Sequence, residues 1–315
     1  MIRAVLIPIL LSPVASAAGE LLLNQPIDCA LGDNCFIQQF VDRDPGPGAA
    51  DFTCGPLSYD GHKGTDFALP SLRAMHDGVD VLSAAPGTVT ALRNDMPDTG
   101  KAGGVPQGKD CGNGIVIRHG GGWETQYCHL KQGSVIVTKG QRVAKGTVLG
   151  EVGFSGTTEF PHLHLSVRKN GEVVDPFATD PVTCQTADDT ALWQHPLPYE
   201  PGGLISVGLA DHVPEYSQIQ AGEVPTASLM APALVAWGYV FGGQRGDEVK
   251  LTIEGPDGQI IDHAATVPRQ QAQLFRAAGK KAPPSGWSEG RYTVTVALHR
   301  NGQIIDSQVR TFELR

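Results

Sequence analysis

The sequence predicts an all-β protein made of two antiparallel units, and three observations carry that reading. Between Asp80 and Asp175, short runs of β-forming residues (Val89–Leu92, Ile115–Ile117, Val135–Val137, Val148–Val152) are punctuated by glycine, with no amphipathic helix of useful length. A proline-rich stretch then interrupts the pattern at Pro181, Pro196, Pro198 and Pro201. Beyond it the β pattern resumes in Leu204–Leu209, Leu234–Phe241, Val249–Ile253, Gln259–Asp262, Tyr292–Leu298 and Ile304–Phe312, with turns at Pro256-Asp257-Gly258 and Asn301-Gly302.

In chain order, residues 1–17 read as a secretory signal peptide. One positive charge, Arg3, precedes an apolar run from Ala4 to Leu11, and Ala15-Ser16-Ala17 supplies the small residues of a cleavage site. The apolar run is too short to span a membrane, so no transmembrane segment is expected in the mature chain, which is exported to the periplasm or beyond. Residues 18–53 form an irregular lead-in rich in turn residues, notably Pro45-Gly46-Pro47-Gly48. Residues 54–185 hold the chemistry, residues 186–203 are a linker, and residues 204–315 form the second unit. Six or seven strands in that length fit an immunoglobulin-like sandwich. It carries no motif with chemistry, which leaves a binding or spacing module whose partner is not identified.

The net charge is −9, and loss of Arg3 with the leader makes the mature chain more acidic still. Nothing in it forms a basic nucleic-acid-binding surface. Six cysteines behind an export signal favour disulfides, because exported proteins meet oxidising conditions. The pairs expected are Cys29–Cys35 as a small loop, Cys111–Cys128 across the hairpin that turns at Gly120-Gly121-Gly122, and Cys54–Cys184 tying the ends of the catalytic unit together.

The chemistry is concentrated between His62 and His164. His62-Lys63-Gly64-Thr65-Asp66, Tyr127-Cys128-His129-Leu130 and Pro161-His162-Leu163-His164 place five groups able to bind a divalent metal, or to work beside one, in a glycine-rich β setting. His162 and His164 are two apart in a strand-like run, so both imidazoles leave one face. His62 and Asp66 are four apart, about 13 Å in an extended chain, too far for two bonds of about 2 Å to one zinc. The chain must therefore bend between them, and Gly61 and Gly64 permit it. Two imidazoles and a carboxylate leave a coordination position open, the arrangement of catalytic zinc.

These motifs, with Ala85-Pro86-Gly87-Thr88-Val89, Gly112–His119 and Val143–Gly150, resemble the M23 zinc metallopeptidases of the lysostaphin and LytM type over roughly residues 54–178. The resemblance implies one Zn2+ per chain bound by His62, Asp66 and His164, with His129 and His162 as catalytic residues beside it. It implies hydrolysis of peptide bonds in peptidoglycan stem peptides or cross-bridges. Two departures bear on specificity: the chain has Leu165-Ser166 where the family often has Phe-Glu, and residues 70–79 are an extra segment. Two other functions compete with this reading. A zinc endopeptidase of the same fold would cut glycine-rich proteins such as elastin, and a noncatalytic scaffold would activate another hydrolase, although scaffolds of that kind lose ligands that this chain retains.

His119 is expected to be structural or solvent-exposed, His76 to lie in the inserted loop with a cleft-lining role as the alternative, and His195, His212, His263 and His299 to sit at the surface or in packing. Tyr127 is expected to pack.

Overall fold

The computed structural model describes residues 21–179 and 191–315. The leader and Cys184, and with it the expected Cys54–Cys184 pair, lie outside the described residues. The other two expected disulfides are present, Cys29–Cys35 and Cys111–Cys128.

The first unit is all-β and antiparallel. Its strands are β1 (Phe36–Gln39), β2 (Thr65–Ala68), β3 (Asp80–Leu82), β4 (Gly87–Arg93), β5 (Asn113–Arg118), β6 (Trp123–Leu130), β7 (Arg142–Val143), β8 (Val148–Glu151), β9 (His162–Lys169) and β10 (Glu172–Val173). Eight of them form one sheet in the order β1-β2-β9-β6-β5-β4-β7, with β10 on β9, while β3 pairs with β8 apart from it. Strand β9 lies inside this sheet between β2 and β6, and its residues alternate between the two faces. Leu163, Leu165 and Val167 are fully buried on one face, which leaves His162, His164 and Ser166 for the other.

Four local expectations change. Val135–Val137 is no strand: Ile136 N–H reaches Leu149 C=O, but turns at Gly133 and Gly140 leave no room for a ladder. The extra segment is a short helix, α1 (Leu72–Asp77), whose start is capped by the Ser71 hydroxyl accepting from Ala74 N–H, and His76 lies on it. The lead-in supplies β1 and then Phe40, which packs edge-on against Phe52 and Phe177. The connecting segment is anchored too, since Leu192 and Trp193 are buried in the core of the first unit.

The second unit contains β11 (Gly203–Ala210), helix α2 (Tyr216–Ala221), β12 (Ala233–Gly243), β13 (Glu248–Gly255), β14 (Gly258–Thr266), β15 (Gln271–Lys281), β16 (Gly290–Arg300) and β17 (Gln303–Leu314). Sheets β11-β12-β15 and β14-β13-β16-β17 enclose a common core containing Leu234, Val240, Leu251, Ile253, Val294 and Val296. Seven strands in two antiparallel sheets make the sandwich that the turn spacing predicts. Strand β15 and helix α2 are additions to the sequence reading.

The two units touch. The rings of Phe36 and Phe241 lie 4.5 Å apart, and the buried Gln38 donates to Ala272 C=O while accepting from the Gln273 amide.

Candidate metal centre

Strand register builds the centre. Asp66 on β2 stands opposite His164 on β9, and Ala68 stands opposite His162, so the carboxylate and both imidazoles share one patch of sheet. His62 enters from the turn before β2, where Gly61 takes a left-handed φ of 74°. Gly64 has another function. A Cβ there would meet His164 Nε2 at 2.5 Å and the Leu165 carbonyl oxygen at 2.6 Å, so only glycine lets the turn lie against β9.

His129 arrives by a route that alternation does not predict. Cys128 pairs with His164 across β6 and β9, so a regular strand would send the next side chain to the opposite face. His129 instead has a φ of 63°, and its ring lies 4.6 Å from that of His162 and 6.0 Å from that of His164. A left-handed residue other than glycine costs roughly 1–2 kcal/mol. Surrounding bonds hold it: His129 N–H donates to Cys111 C=O, its own carbonyl accepts from Gly153 N–H, and the Cys111–Cys128 disulfide fixes the preceding residue.

Each of the four imidazoles is oriented by a bond from the nitrogen facing away from the centre. His62 Nδ1 donates to Phe40 C=O at 2.7 Å, His129 Nδ1 to Ser155 C=O at 2.8 Å, and His162 Nδ1 to Phe160 C=O at 2.9 Å. His164 is held the other way round, with Nε2 donating to the Ser166 hydroxyl at 3.1 Å while that hydroxyl donates to Lys63 C=O. The inward nitrogens are therefore left as acceptors.

Two of these nitrogens converge with a carboxylate oxygen. His62 Nε2 lies 3.2 Å from His164 Nδ1 and 3.3 Å from Asp66 Oδ1, and His164 Nδ1 lies 2.8 Å from Asp66 Oδ1. With the outer ring nitrogens donating elsewhere, the neutral imidazoles turn lone pairs towards the Asp66 carboxylate, a donor set that could hold a cation. Ligand atoms on a tetrahedral ion with bonds of about 2 Å stand about 3.3 Å apart, which matches this donor set. Among the described residues, this is the His-Asp-His group that could hold a metal. His162 Nε2 lies 3.4 Å from Asp66 Oδ1, at the edge of the cluster.

The electrostatics follow from burial and proximity. Burial alone would raise the Asp66 carboxyl, but the surrounding imidazoles of His62, His162 and His164 hold it well below the usual carboxylate range. Burial, reinforced by His162 and His164, pushes His129 far down. Burial also lowers His164, despite Asp66 beside it. For His62 burial acts downward, yet the Asp66 charge prevails and raises it.

The remaining histidines stay out of the centre. His119 is buried, its two nitrogens bonded to Pro86 C=O and the Thr125 hydroxyl, so it is structural and not solvent-exposed. Tyr127 packs in the core, its hydroxyl accepting from Ala84 N–H. His195, His212 and His263 are exposed. Tyr59 was not singled out by sequence reasoning, though its half-exposed ring lies 4.4 Å from that of His62.

Residues 60–176 match the family model of peptidase family M23 and include all five converging residues. This segment is an M23 peptidase domain. The domain is 33% identical over 114 residues to the peptidoglycan DD-endopeptidase ShyA of Vibrio cholerae, and 36% identical over 115 residues to the DD-carboxypeptidase/endopeptidase Mpg of Neisseria meningitidis. Each match covers 36% of this chain and 22% of the relative, so the M23 domain accounts for about a fifth of those proteins' length. A solved zinc-containing peptidase from Vibrio cholerae is 28% identical, covering 50% of this chain and 39% of that one with a TM-score of 0.35.

Proposed function

We propose that the chain is an exported zinc metalloendopeptidase that hydrolyses peptide bonds in the stem peptides or cross-bridges of peptidoglycan. The observation that carries the reading is the convergence of His62 Nε2, Asp66 Oδ1 and His164 Nδ1 at ligand spacing. These residues would hold one zinc per chain. Zinc in such a site supplies Lewis acidity and makes water ionisable near neutral pH.

The chain's own part in catalysis falls to His129 and His162. Their Nδ1 atoms are committed to carbonyl oxygens, so each presents Nε2 to the cleft. Burial keeps His129 neutral, as a proton acceptor must be. The pair takes the proton of the attacking water, stabilises charge that develops on the scissile carbonyl oxygen, and returns a proton to the leaving amine.

Peptidoglycan as substrate rests on the names of the curated relatives, which share the domain and not their full length. Export is supported by the two disulfides, which suit an oxidising compartment. Among the described residues no helix is long and apolar enough to cross a membrane. The test is to incubate the purified protein with intact peptidoglycan and, separately, with elastin, and to identify new amino termini. Termini from peptidoglycan alone are expected; termini from elastin alone would move the enzyme to protein substrates, and none from either would leave a scaffold.

A further inference from the structure

Between the M23 domain and the C-terminal sandwich lies a cavity of about 450 Å3, within the usual size range of small-ligand sites. Its floor comes from Leu69 and Leu72, at and beyond the end of β2, and from Phe154 and Phe160 in the loop before β9. Gln220 on α2 and Tyr239 on β12 form the facing wall, so neither unit makes this cavity alone.

The wall on the M23 side also holds a catalytic residue. Phe160 stacks on the His162 ring at 4.5 Å and 29°, its carbonyl accepts from His162 Nδ1, and the Thr158 hydroxyl is 3.1 Å from the same nitrogen. Phe160 therefore lines the cavity and supports the His162 ring with the same side chain. The charged groups at its mouth, Lys101 and Glu159, are exposed and paired with each other at 3.0 Å, which leaves no net charge to offer a ligand. The lining is otherwise apolar carbon with amide and hydroxyl groups.

We propose that this cavity is a substrate subsite that receives an uncharged, apolar side chain of the peptide being cut, and that the C-terminal sandwich thereby forms part of the substrate cleft. The inference rests on the peptidase reading above. Burying a charged side chain here would leave it without a counter-charge, whereas burial of a leucine-sized side chain gains roughly 1.5–3 kcal/mol. Discrimination against Glu and Lys at one substrate position follows, and α2 of the sandwich sets it.

The experiment uses the full zinc-loaded chain and end-blocked hexapeptides of Ala and Gly in which one position at a time is Leu, Glu or Lys. Binding is read from chemical-shift changes of the Leu69 and Leu72 methyls, and cleavage is read separately from the products. Leu at one position is expected to bind at least tenfold more tightly than Glu or Lys there and to shift both methyls. Ala102→Trp, which fills the cavity from an exposed turn, should erase that advantage. Gln220→Glu should transfer it to Lys, and neither change should alter zinc content. Equal binding of the three residues at every position, or selectivity untouched by both variants, would overturn the subsite. Selective binding without cleavage would keep the subsite and remove the peptidase reading. Cleavage without selectivity would do the reverse.

Discussion

The Ser166 hydroxyl accepts from His164 Nε2 at 3.1 Å and donates to Lys63 C=O at 2.7 Å, and so ties the orientation of one metal-facing imidazole to the turn that carries another. Ser166 belongs to the Leu165-Ser166 pair, one of the two departures from the usual pattern of the family it resembles, and it supports the centre directly. Groups that orient a ligating imidazole typically contribute 10–100-fold to metal affinity. Ser166→Ala should fold normally and bind zinc 10–100-fold more weakly in a chelator competition. Unchanged affinity would show that packing alone orients His164.

Gly64→Ala should be more damaging than its size suggests. The new methyl would overlap both the His164 ring and the backbone of β9, and the backbone cannot swing away. Zinc stoichiometry should fall well below one per chain while most β-structure persists. A fully loaded Gly64→Ala protein would mean that the turn can shift without disturbing His164.

The Cys111–Cys128 disulfide precedes a residue held in left-handed geometry, so breaking it should release His129 before it releases the metal. A Cys111→Ala/Cys128→Ala variant should keep zinc, lose at least tenfold in turnover, and be less stable by about 2–4 kcal/mol, the usual worth of such a bridge. Full turnover in this variant, measured on the wild-type substrate, would show that the bond to Cys111 C=O suffices to hold His129.

Asp175 gives a pH-dependent prediction away from the centre. Burial pushes its carboxyl up to about 7, against the opposing Phe177 N–H and Arg43 and with help from Asp51. In an unfolded chain the group titrates near 3.9. Between about pH 4 and 7 the folded protein therefore holds more protons than the unfolded one, and this group makes stability fall as pH rises through that window. Asp175→Asn keeps an acceptor for Phe177 N–H but cannot ionise. Its melting temperature should exceed that of the wild type by several degrees at pH 8 and match it at pH 4. A difference independent of pH would remove the role of ionisation.

Much of the centre was legible in the sequence because its residues sit on β2, on β9 and in the glycine-flanked turn before β2, where alternation and glycine placement are strict. His162, His164 and the bend between His62 and Asp66 follow from geometry that the residue order dictates. The route of His129 was not legible, because a left-handed histidine inside a strand leaves no mark in composition. The supports of His62, His129 and His162 are backbone carbonyls of Phe40, Ser155 and Phe160, which any residue could provide. Strand β15 escaped for another reason. Gln271, Gln273, Arg276, Lys280 and three alanines are weak β-formers, and β12 holds this edge strand through ten register pairs instead. Val135–Val137 shows the converse, three strong β-formers left without a partner strand.

The central claim is the division of the five residues into three that hold zinc and two that act beside it. Metal content of the five single alanine variants, measured by elemental analysis with turnover recorded on the same samples, tests it most directly. His62→Ala, Asp66→Ala and His164→Ala should lose both zinc and activity, whereas His129→Ala and His162→Ala should retain one zinc per chain and lose most turnover. Loss of zinc from His162→Ala would make that residue a fourth ligand and close the open position, and a fully zinc-loaded variant among the first three would contradict the assignment of the centre.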